Sequence, residues 1–147
     1  MSFGTVSETV RTRLLANWTA TPIDWSAFNG PAYTPPAPSS SNPSASAWMR
    51  PSVHIGTAKR AQLGPGVNQG GNGARRRYLG DFTAQIFTPL GSGDALPLTL
   101  ATTLGTLFRD FQSDGITFLE PTPIFVGSDG AWNQTNVYIP LRRDEKL

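Results

Sequence analysis

From Arg75 to Pro89 the chain alternates without a break: Tyr78, Phe82, Ala84 and Ile86 fall on one side, and Arg77, Leu79, Asp81, Thr83 and Gln85 on the other. A period of two describes a strand with one buried face. A strand this long is not stable alone, so the rest of the chain must supply partner strands and a cover. Part of the cover is legible directly downstream. Leu90-Gly91-Ser92-Gly93-Asp94 reads as a turn with Asp94 as N-cap. Leu96, Leu100, Leu104, Leu107, Phe108 and Phe111 then recur at helical spacing, which predicts a helix over 95–111.

A second helix is expected near the N-terminus. Thr5-Val6-Ser7-Glu8 reads as a capping box, and Val6, Val10 and Leu14 form a stripe that Leu15 and Trp18 widen, with Arg11 and Arg13 facing away. It should end near Asn17, and Thr21-Pro22-Ile23-Asp24-Trp25 should be a short extended piece. Residues 26–47 read as a long loop. Pro31 to Pro43 is dense in Pro and Ser, which argues against both helix and inner strand. Trp48 to Leu63 has strand character, with Met49, Val53 and Ile55 on one face and Arg50, Ser52 and His54 on the other. Pro51 marks it as an edge or a bulge. A glycine-rich loop over 64–74 joins it to the strand that begins at Arg75. Three more strands are expected, Ile116 to Glu120, Pro123 to Gly127 and Asn133 to Arg142, with a turn at Ser128-Asp129-Gly130. This order predicts a single α+β domain, a mostly antiparallel or mixed sheet with two helices packed on one face.

Composition removes several function classes. There is no cysteine, so disulfides, thiol catalysis and thiolate metal sites are excluded. Only 15% of residues are charged and the formal net charge is +2, too little to argue for nucleic-acid binding by itself. No run approaches the roughly 18–20 apolar residues of a membrane helix, and the N-terminus reads without a secretory signal.

Catalytic constellations are equally sparse. His54 is the single histidine, and the acidic residues are scattered at positions expected of caps, turns and solvated faces. Glycines 64–73 precede no Gly-Lys-Ser/Thr and open no helix, so they do not make a phosphate loop. No cofactor is implied. The dense charge run is Arg75-Arg76-Arg77, which reads either as a solvated strand end that deters edge pairing or as a contact for DNA phosphates or an acidic partner. Trp25, Trp48 and Trp132 flank loops and read as interface anchors or as local staples.

Order and spacing across nearly the whole chain resemble the tail terminator family of long-tailed bacteriophages. The matching pieces are Val10-Arg11-Thr12-Arg13-Leu14-Leu15, Thr21-Pro22-Ile23-Asp24-Trp25, Trp48-Met49-Arg50, Gly80-Asp81-Phe82 through Pro89-Leu90-Gly91-Ser92-Gly93, the Leu-rich helix closing with Phe108, and Val137-Tyr138-Ile139-Pro140-Leu141. The resemblance implies a non-enzymatic virion protein of the head–tail junction, assembled in the host cytoplasm. It implies a hexameric ring that caps the last ring of tail-tube protein, stops tube growth and meets the head–tail connector protein, with incidental contact to genome DNA and none to membrane. Other readings are a different neck or tail-tube ring, a small nucleic-acid-binding module using the arginine run, and an enzyme with a dispersed site.

Overall fold

The computed structural model describes residues 4–62 and 75–146; the glycine loop expected at 64–74 lies outside them. Helix α1 (Gly4–Asn17) leads through a 3-10 turn (Ser26–Phe28) and a one-turn helix α2 (Pro43–Ser46) into strands β1 (Trp48–Gln62) and β2 (Arg75–Pro89). Helix α3 (Ala95–Phe108) follows, then β3 (Gln112–Ser113), β4 (Ile116–Phe118), β5 (Thr122–Asp129) and β6 (Trp132–Lys146). The strands form one antiparallel sheet in the order β1-β2-β6-β4-β3, with β5 also paired to β6. This is the α+β architecture the periodicities require.

β2 and β6 make the axis of the sheet. They pair without interruption from Arg75↔Lys146 to Pro89↔Trp132, about 50 Å of ladder at roughly 3.3 Å per residue. β1 lies along the other side of β2. Gly80 permits that approach, because a Cβ there would overlap the carbonyl oxygen of His54.

One face of the sheet carries the core. Met49, Phe82, Ala84, Ile86, Ile116, Phe118, Val137, Ile139 and Leu141 are buried against Val6, Val10 and Leu14 from α1, Trp18 just beyond it, and Leu100, Leu104 and Phe108 from α3. Phe108 sits at its centre, edge-on to Phe82 (4.8 Å) and Phe118 (5.1 Å). The expected stripe of α1 therefore holds except for Leu15, which is 62% exposed. Arg13 does not face away. Its Nε donates to the Leu107 carbonyl at 3.1 Å and its guanidinium lies over Phe111 at 4.2 Å, which caps the end of α3 and ties the two helices together.

Several boundaries differ from the sequence reading. α1 already includes Gly4, so Thr5 lies within its first turn rather than before it. Asp94 occupies the N-cap position of α3 but makes no side-chain capping bond. α3 stops at Phe108 rather than Phe111, because Arg109 turns extended and Asp110 takes a positive φ of 58°. Phe111 still packs against the core, from the loop. Four strands follow α3 instead of three. The extra one, β3, folds back on β4 through Asp114-Gly115, both at positive φ (52° and 77°), as a two-residue type I′ turn demands. The Pro/Ser loop is irregular as expected, except for the single helical turn at Pro43–Ser46, where proline occupies the first turn and its missing N–H costs nothing.

Candidate assembly surface

The outer strands β1 and β5 are finished differently. At β1, Pro51 offers no N–H. Both backbone groups of Met49 are already taken: its carbonyl accepts from Asp24 N at 2.7 Å, and its N–H donates to Pro22 at 3.1 Å. The extended piece around Ile23 thus covers that end of the β1 edge as a parallel bridge, a common way of blunting an exposed strand.

β5 has no such cover among the described residues. All eight of its residues are exposed, including Ile124 (49%), Phe125 (54%) and Val126 (54%). Phe125 also borders a shallow recess with Leu90, Asp94 and Asn133, between the β5–β6 hairpin and the start of α3. The run Pro123-Ile124-Phe125-Val126 reads in sequence as a buried strand; its exposure is what the structure adds. Pro123 and a register break at Val126 make β5 a poor template for a further strand, so it presents side chains rather than a ladder edge.

Helix α3 packs beside β5. The helix contains no charged residue. Leu98, Thr99, Thr102, Thr103 and Thr106 are exposed. The hydroxyls of Thr102, Thr103 and Thr106 donate back to the carbonyls of Leu98, Thr99 and Thr102 at 2.9–3.0 Å. With their hydroxyls folded onto the helix, these threonines turn methyl groups to solvent.

Trp25, Trp48 and Trp132 each pack within the subunit. Trp48 is buried on the sheet face opposite the core, stacked on Phe87 (4.1 Å) and touched by Tyr33 (5.5 Å) and Trp132 (5.9 Å). Trp25 packs on Phe28 (5.3 Å) and against the core. Trp25 and Trp48 pack against the 26–47 loop, and half-buried Trp132 closes the cluster around Trp48.

Arg50 and Asp24 lock this arrangement. Arg50 Nε donates to Asp24 Oδ2 at 2.8 Å while its guanidinium covers the Trp48 and Phe87 rings (5.3 and 5.5 Å), and Asp24 Oδ1 accepts from Ser26 N at 2.9 Å. Burial pushes the Asp24 carboxyl up. The bonds from Arg50 and Ser26 outweigh this and hold it below the usual aspartate range. A depressed folded-state value means stability that is present above the unfolded value and lost as pH falls through the folded one. Wild type should therefore lose stability below about pH 4 more steeply than Asp24→Asn, which should be less stable at pH 7. Thermal melts at pH 7 and pH 3 measure this, and equal slopes for the two proteins would dismiss the role of Asp24.

Of the arginine run, Arg77 is paired with Asp144 through two bonds (2.8 and 3.2 Å) and Arg76 is exposed; Arg75 opens β2 opposite Lys146. His54 Nδ1 stands 3.5 Å from Asp81, whose carboxylate also accepts from Thr83 (3.0 Å) and Tyr138 (3.2 Å). Asp81 raises the Tyr138 pKa by its charge and its hydrogen bond. This cluster lies on an open sheet face. Among the described residues, no three of His, Asp and Glu are close enough to hold a metal ion, and no helix is long and apolar enough to cross a membrane.

No protein-family model matches the chain, and no curated protein matches it. Its fold recurs among solved structures. One of them, whose name states no function, superposes with a TM-score of 0.62 at 21% identity, over 97% of this chain and 96% of its own. That likeness speaks to the fold alone.

Proposed function

We propose that this protein is a structural subunit that assembles with copies of itself into a ring, and that the ring is the tail terminator of a long-tailed bacteriophage, capping the tail-tube protein and meeting the head–tail connector. The observation that carries the assembly is the uncharged surface of Thr122 to Ser128 in β5 and of α3, with Ile124, Phe125 and Val126 half-exposed. Contiguous apolar surface of this kind marks interaction sites. A second copy is the occupant it fits, because like-charged copies repel least through a neutral patch. Closure into a ring needs two different surfaces on each subunit, and the covered β1 edge on the far side of the sheet from β5 offers a contrasting one. The terminator role rests on the order and spacing of the sequence segments described above.

The test is tail length by electron microscopy in phage lacking this protein, complemented by wild type or by Ile124→Asp/Val126→Asp. Overlong tubes without heads, rescued by wild type and not by the double variant, are expected. Both positions are exposed, so the free subunit should keep its stability to within about 0.5 kcal/mol. Full heads beside no tails would instead indicate a tube or initiator protein, and normal particles would sink the structural reading altogether.

A further inference from the structure

The formal charge of +2 conceals a separation of charge. β1, β2 and β6 run to a common end, where Lys59 stands opposite Arg77, Arg60 opposite Arg76, and Arg75 opposite Lys146. With Arg142 and Arg143 beside them, eight of the chain's twelve Lys and Arg lie at this end. Asp144 and Glu145 accompany them, as does Asp114 from the β3–β4 turn, whose neighbour Gly115 accepts from Asp144 N at 3.3 Å; Arg143 is buried. Eight positive against three negative charges give +5 here and leave −3 for the rest of the molecule. Asp144 is committed to Arg77, while Arg76 and Arg142 are exposed.

Like charges directly opposite on neighbouring strands oppose pairing. Three such pairs at one strand end, offset only in part by Glu145 and Asp144 standing opposite Arg76 and Arg77 on β6, are a cost that a bound polyanion relieves. A second copy of the chain is a poor polyanion. Its acidic groups are dispersed, and Asp24, Asp81 and Glu120 are already held by Arg50, by Thr83 and Tyr138, and by Arg109. A nucleic-acid backbone has the required density of negative charge. Single strands are gripped by stacking on exposed aromatic rings, and the aromatic residue at this end, Tyr78, is half-buried.

We propose that the basic end of the β1-β2-β6 ribbon binds the phosphate backbone of duplex DNA without reading its sequence. This charge pattern stands whether or not the chain forms a ring.

The experiment is fluorescence anisotropy of a labelled random-sequence duplex titrated with the full chain at several salt concentrations. A linear fall of log K against log salt with a slope of about −4 to −5 is expected, the signature of some five phosphate contacts. Arg76→Gln/Arg142→Gln should reduce the slope by about 2 and weaken binding roughly ten- to hundred-fold near 0.1 M salt, equally for unrelated sequences. Arg11→Gln, on the exposed side of α1, should change neither. Circular dichroism verifies that each variant is folded. No binding at low salt, the same slope in the double variant, or equally tight binding of polyglutamate or single-stranded DNA would each overturn the proposal.

Discussion

Phe108→Ala is expected to cost about 3–5 kcal/mol, the usual penalty for emptying a buried phenylalanine site, and to lower Tm by roughly 10 °C for a domain of this size. The reason is position. Phe108 is fully buried in the last turn of α3, where its ring meets Phe82 of β2, Phe118 of β4 and, at 6.3 Å, Phe111. Rings from β2, from β4 and from the loop after α3 converge on one side chain. Phe108→Leu, which keeps most of the volume, should recover over half of the loss. Thermal unfolding followed by circular dichroism decides the point, and a shift below about 3 °C for the alanine variant would mean that the aromatic cluster is not the keystone of this core.

The second large effect is expected on the other face of the sheet. Trp48→Ala should cost about 3–5 kcal/mol and also free the Pro/Ser loop. Trp48 bridges the sheet, through Phe87, and the loop, through Tyr33. Chymotryptic cleavage after Tyr33, slow in wild type, should become rapid in the variant. Trp48→Phe, which keeps one aromatic ring on Phe87 and leaves a smaller cavity, should be milder than the alanine variant. The indole Nε1 is buried without an acceptor, so deleting it removes a polar group that the fold leaves unsatisfied. If the alanine variant resists cleavage as well as wild type does, the loop is held by something other than this tryptophan.

These two sites also show how far sequence reading reaches. Periodicity located α1, β2 and most of α3, because Val6, Val10 and Leu14, or Phe82, Ala84 and Ile86, each face one uniform environment. It overran the end of α3, since Phe111 continues the apolar spacing while only the backbone at Arg109 and Asp110 ends the helix. β3 was missed although its signal was present: Asp114-Gly115 is a favoured two-residue hairpin turn, but a two-residue strand has no pattern of its own. The second aromatic cluster was legible only in part: Trp48 reads as a staple or an anchor from its place beside the loop, but its meeting with Phe87 and Tyr33 depends on a loop of low hydrophobicity folding over the sheet.

The candidate surfaces divide in the same way. The Arg75-Arg76-Arg77 run is plain in the sequence, but its company is not. Lys59, Arg60, Arg142 and Lys146 come from two other segments and meet it only through strand register. The exposure of Ile124, Phe125 and Val126 runs against their apolar character and depends on β5 being an outermost strand, which topology alone determines.

The uninterrupted pairing of β2 with β6 has a mechanical consequence. A load applied along these strands, at opposite ends of the ladder, pulls on every rung from Arg75↔Lys146 to Pro89↔Trp132 at the same time. Rupture then requires many hydrogen bonds to fail together. A load applied across the β5–β6 hairpin opens rungs one after another and needs far less force. The molecule is thus stiff along one direction and peelable along another, and a single-molecule pulling experiment from differently placed handles would read two distinct rupture forces from one fold.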